Sequence, residues 1–135
     1  EKLDPYQRVE QLEKALFNDI KDSRFIPYIQ LHEFEALILS DPSKFYLRFP
    51  EYESEIQQLL EICRNFDSPE LINDGVTTAP SKRITQVIPV YEGSKTSAAP
   101  LIANKIGLRK IRERCPHFDK WISQLETLTQ SSSSQ

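Results

Sequence analysis

Glycine is scarce in this chain: among 135 residues it occurs only at positions 75, 93 and 107, and methionine is absent. Three isolated glycines cannot form the Gly-rich turn that cradles phosphates in nucleotide-binding loops. The two cysteines, Cys63 and Cys115, lie far apart and neither has a Cys-x-x-Cys partner. Neither a disulfide framework nor a zinc ribbon is therefore indicated, and buried or half-buried thiols are expected. No stretch approaches the roughly 20 apolar residues of a membrane helix, and no signal peptide opens the chain, which makes a cytoplasmic address the default. Excess positive charge is also missing. A net charge of −3 argues against a globally basic nucleic-acid binder but leaves room for a local patch.

What remains is one domain's worth of ordinary globular sequence, rich in helix signals. Asp4-Pro5 is a helix start, since Asp accepts from free amides and Pro tolerates the first helical position. Val9, Leu12, Leu16, Phe17 and Ile20 recur at helical spacing to about Lys21. Ser40-Asp41-Pro42 opens a short helix over Pro42–Phe49, and a longer one follows with Ile56, Leu59, Leu60 and Cys63 inward, ending near Asn65. Asp67-Ser68-Pro69-Glu70 opens a single turn, and Asn73-Asp74-Gly75 marks another. Pro80–Ile88 reads as a helix and Pro89–Ser97, carrying Lys95, as a flexible loop. Pro100–Ile106 and Leu108–Cys115 read as two short helices parted by Gly107. Pro116 begins a last helix burying Phe118, Trp121, Ile122 and Leu125, and the Ser/Gln-rich 129–135 tail is expected to be disordered. The abrupt helical opening suits a segment of a longer protein.

The chain is organised around Phe25–Leu39, FIPYIQLHEFEALIL. Its first part, 25–31, is β-prone and predicts a core strand, with Pro27 placing it at a sheet edge or a bulge. His32–Leu39 favours helix. Acidic side chains inside so apolar a run must lie at the edge of a core, which makes this the first place to look for a site. Glu33 and Glu35 share a face if the strand continues through them, and can then hold a hard cation such as Mg²⁺ through carboxylate oxygens. In a helix they diverge by roughly 200°, and serve instead as acids in a helix first turn. His32 is a candidate general base or ligand by its near-neutral pKa, or a hydrogen-bonded core residue.

Three other stretches carry candidate chemistry. Ser81, Lys82 and Arg83 fall in a helix first turn, where free amides and cationic side chains together suit a phosphate. Lys105, Arg109, Lys110, Arg112 and Arg114 stand against Glu113 around the Gly107 turn, in a partial match to a helix-turn-helix. Such a patch can neutralise nucleic-acid phosphates, or simply be solvated. Cys115-Pro116-His117 sets a thiol beside an imidazole, but no further ligand follows at zinc spacing.

The stretches FIPYIQLHEFEALIL, SPELINDGVTTAPSKR and PLIANKIGLRKIRERCPHFDKWISQLE, in that order, resemble the bacterial domain-of-unknown-function 4276 family across most of Asp4–Leu125. That family is similar to Toprim-type metal-dependent domains, and its members often sit beside ATPase genes in loci suspected of phage defence. The resemblance implies the C-terminal portion of an α/β, Toprim-like domain, helix-rich with a core strand at about 25–31. It further implies Glu33 and Glu35 at a Mg²⁺ or Mn²⁺ site and Lys82 and Arg83 on phosphate. By their own residue types, His32 joins the first group as a catalytic candidate, Ser81 the second, and Lys105, Arg109, Lys110 and Arg112 are the candidate nucleic-acid contacts. The function that follows is metal-dependent nucleic-acid processing with an ATPase partner. A non-enzymatic helical module that binds a protein or a nucleic acid is the alternative. The Asp-x-Asp of Toprim chemistry is absent from this sequence, so this piece alone is expected to be catalytically silent.

Overall fold

The chain was analysed as a computed structural model, which describes residues 3–72 and 77–133, with side chains described as far as 128. Among them are seven α-helices: α1 (Pro5–Ile20), α2 (Glu35–Ile38), α3 (Glu53–Arg64), α4 (Pro80–Val87), α5 (Tyr91–Ile106), α6 (Leu108–Arg114) and α7 (Pro116–Ser133). Two 3₁₀ turns, Pro42–Leu47 and Pro69–Leu71, fill the gaps after α2 and α3. The expected Asn73-Asp74-Gly75 turn lies outside the described residues. Of the tail expected to be disordered, 129–133 instead continue α7, and only 134–135 lie outside the described residues. Among the described residues, no helix is long and apolar enough to cross a membrane.

The expected α/β architecture is not found. Among the described residues there is no β-strand, and 25–31 is an extended segment without a ladder. The physical reason lies in its hydrogen bonds. Pro27 has no N–H to give, and the Ile29 N–H is taken by the Glu13 carboxylate of α1 at 2.8 Å rather than by a neighbouring strand. A β-prone sequence becomes a strand only when another backbone pairs with it, and here a side chain does so instead.

Helix starts follow the sequence signals more closely. Asp4 caps α1 by accepting from the Gln7 N–H, and the Gln7 side chain accepts from the Asp4 N–H in return. Asp41 and Ser68 cap the two 3₁₀ turns by accepting from the Ser43 and Glu70 N–H groups. Two expectations fail by tertiary override. His32–Leu39 is not one helix, because His32 has φ +66° and turns the chain before α2 begins at Glu35. The expected loop 89–97 and helix 100–106 are one helix, α5, with Pro100 inside it. Burial of Tyr91, Ala98, Ala99 and Ile102 outweighs the weak local propensity, and the Ser94 and Ser97 hydroxyls bond back to the Val90 and Ser94 carbonyls. Pro100 is tolerated on the exposed side. At Gly107, φ +86° and ψ 151° define a conformation essentially reserved for glycine, and it parts α5 from α6.

The core is built from α2 to α6, with Ile38, Phe45, Ile56, Ile84, Tyr91 and Ile102 fully buried. The terminal helices are tied to it by polar contacts. Glu70, itself fully buried, accepts from the His117 and Phe118 N–H groups, both at 2.9 Å, and from the Tyr6 hydroxyl at 3.1 Å. These amides are orphan donors at the start of α7, where negative charge is also favoured. Burial pushes the Tyr6 hydroxyl well above its usual range, and the neighbouring Glu70 charge adds to this while a Ser68 hydrogen bond opposes it, so Tyr6 stays a donor.

Glu70→Ala leaves the buried His117 amide and the part-buried Phe118 amide unpaired, so it should lower stability by about 2–5 kcal/mol in urea denaturation, with Glu70→Gln less costly because one acceptor oxygen survives. An alanine variant within 1 kcal/mol of the wild type would show that α7 is anchored by other means.

Candidate functional site

The expected acidic site and the expected phosphate-binding turn are brought together, and they satisfy each other. Glu33 lies just before α2, and its Oε1 accepts from the Ser81 N–H at 2.6 Å, so the anion held by the α4 start is this carboxylate. Lys82 is exposed, and Arg83 donates from Nε to the Thr78 carbonyl at 3.2 Å. Glu35 is buried in α2, where its Oε1 accepts from the Tyr91 hydroxyl at 3.2 Å. Burial, then the Glu35 charge and hydrogen bond, then the Glu33 charge raise the Tyr91 hydroxyl far above its ordinary value. Glu35 thus touches Tyr91 directly, and Glu33 reaches it by charge alone. His32 is half-buried at the turn that aims them, with Nε2 itself buried. A Mg²⁺ site asks for more oxygen than two carboxylates each engaged by a donor. Among the described residues no group of three or more His, Cys, Asp or Glu side chains is placed to hold a metal ion.

The predicted nucleic-acid residues are divided among different tasks. Arg112 turns toward α7, pairing with Asp119 and with Glu126 at 2.9 Å and donating to the Ser123 hydroxyl. Arg109 pairs along α6 with Glu113 at 3.4 Å. Lys105 and Lys110 are exposed. A helix whose arginine is committed to three groups on its neighbour is poorly placed to read a groove.

One cleft went unread in the sequence. It lies between α1, the extended segment and α7, encloses about 420 Å³, and is lined by Glu13, Phe17, Tyr28, His117, Lys120 and Trp121 among others. The Tyr28 ring stacks with Trp121 at 4.5 Å and 16° and with His117 at 5.3 Å and 19°. At its base the Glu13 carboxylate receives the Ile29 N–H and meets His117 Nε2 at 2.9 Å. A signal for it existed: Glu13 interrupts the apolar stripe of α1, and a carboxylate there needs a partner from another element. Phe17 links this cleft to the outer part of α1, where Leu12, Leu16, Phe17 and Ile20 are 53%, 42%, 42% and 48% exposed. Only Val9 of the stripe is buried.

Cys115 and His117 do not act together. Cys115 is fully buried, with Sγ 3.3 Å from the Ser40 hydroxyl, whereas His117 faces Glu13. Burial lifts the Cys63 thiol to about 11, against the lowering influence of Arg114 and Arg83, and the Cys115 thiol to about 12. Both cysteines should therefore resist a disulfide reagent at pH 8 in the native protein and react at once in denaturant. Prompt native labelling of either would contradict this burial.

No curated protein and no solved structure matches the sequence. Over residues 1–126, however, it matches a family model described as a domain of unknown function, DUF4276, and the chain belongs to that family.

Proposed function

We propose that this chain is a helical docking module, and that the exposed face of α1 with the adjoining aromatic cleft holds a partner protein. The observation that carries this reading is the row Leu12, Leu16, Phe17 and Ile20, which a helix spacing places on one stripe and which is left open to solvent. Contiguous apolar surface of this kind, rimmed by the charges of Glu10, Lys14 and Lys120, is characteristic of interaction sites. Phe17 and Trp121 are the large anchors such interfaces favour. Four conspicuous carboxylates, Glu13, Glu33, Glu35 and Glu70, are all engaged in holding helices, which leaves binding better supported than catalysis. The partner suggested by the family resemblance is an ATPase.

A metal-dependent nuclease is the second reading, favoured by the two carboxylates Glu33 and Glu35 both bearing on Tyr91, Glu35 by a hydrogen bond and Glu33 through its charge. It predicts Mg²⁺- or Mn²⁺-dependent cleavage of DNA or RNA, with the ATPase present, that is lost in Glu33→Gln; no cleavage of any substrate removes it.

For the docking reading, the test is titration of the purified ATPase onto labelled protein. Leu16→Glu and Phe17→Glu should each weaken binding at least about tenfold, by breaking apolar anchors, with an unchanged circular dichroism spectrum and thermal midpoint. Undiminished binding by both variants, or no binding by the wild type, would exclude this face.

A further inference from the structure

A groove on another side of the molecule, about 210 Å³, lies between α3, α6 and the 39–42 turn, and Arg64, Lys110 and Arg114 line it against the one carboxylate of Asp41. We propose that this groove binds the phosphodiester backbone of a nucleic acid, with Lys110 and Arg114 as the principal contacts.

The spacing within α6 produces the site. Lys110 and Arg114 are four residues apart and share a face, while Ile111 and Cys115 turn into the core and Arg112 toward α7. The single acid of the groove is already answered: Asp41 accepts from the Ser43 N–H and hydroxyl and pairs with Lys44 at 3.7 Å. Arg64 pairs with Glu61 at 2.6 Å, but both side chains are mostly exposed, so that pair is weak and easily exchanged. Arg114 is different. It is half-buried, it makes no hydrogen bond or ion pair with the described residues, and its charge reaches both buried thiols, Cys63 and Cys115. A half-buried guanidinium with no counter-ion among the described residues has its donors open to a phosphate oxygen, in the fork geometry arginine favours. The helix dipole favours a cation at the end of α6, yet it does not account for Arg64 and Lys110 converging there from separate positions. Cations spread over two helices suit successive phosphates of a chain better than one free ion.

The decisive experiment is fluorescence anisotropy of labelled single- and double-stranded DNA and RNA with the 135-residue protein across a salt series. The wild type should bind without sequence preference, and Lys110→Gln/Arg114→Gln should weaken binding about tenfold or more and reduce the log–log salt slope by about 2. Arg114→Lys should retain most of the slope, which guards against a folding defect, and Arg24→Gln, at an exposed pair elsewhere, should change nothing. Inorganic phosphate should compete no better than chloride at equal ionic strength. No binding by the wild type, an unaltered slope in the double variant, or displacement by millimolar phosphate would each overturn the proposal. Leu16→Glu should bind nucleic acid like the wild type, which separates this groove from the α1 face.

Discussion

The buried carboxylate of Glu70 is the point on which the arrangement of this molecule turns. It reaches the first amides of α7 and the hydroxyl of Tyr6 in α1, so one side chain from a short 3₁₀ turn fixes both terminal helices. A fully buried acid is tolerable only when its oxygens are satisfied, and here they meet donors that would otherwise be orphaned at a helix start. Because His117 is held by its backbone, its ring is left to stack on Tyr28 and to meet Glu13, and the aromatic cleft follows from that placement.

The same economy recurs elsewhere. Glu33 serves the start of α4, Glu35 the buried hydroxyl of Tyr91, and Glu13 the amide of Ile29. Each carboxylate takes the place of a contact that backbone pairing or another cap supplies in other folds. The consequence for function is a molecule whose conspicuous acids are spent on architecture. Its open chemistry is an apolar helix face and a groove lined with cations.

Helix starts were legible because they depend on residues close in sequence: Asp4, Asp41 and Ser68 cap as their types predict, and Gly107 ends α5 through a conformation closed to other residues. The 25–31 segment was misread because strand formation depends on a partner that a sequence window does not contain. The 89–97 segment was misread for the complementary reason, since Tyr91 and Ala98 are carried into the helix by what they pack against. The candidate residues were found in part. Glu33 and Ser81 do come together, but as an internal cap, while Lys82 stays exposed and Arg83 turns to the Thr78 carbonyl, and Lys110 separates from Arg109 and Arg112, whose charges are answered by Glu113, Asp119 and Glu126.

The sequence by itself determined the family, the helical character, the buried thiols and the residues able to start and stop helices, because each depends on composition or on neighbours within a turn or two. Only the tertiary structure decided which charges were free. Whether a glutamate is a ligand or a cap, an arginine a phosphate contact or half of an ion pair, and an apolar stripe a core or a surface depends on groups brought near from remote positions, and electrostatic and hydrophobic energies are set by that proximity.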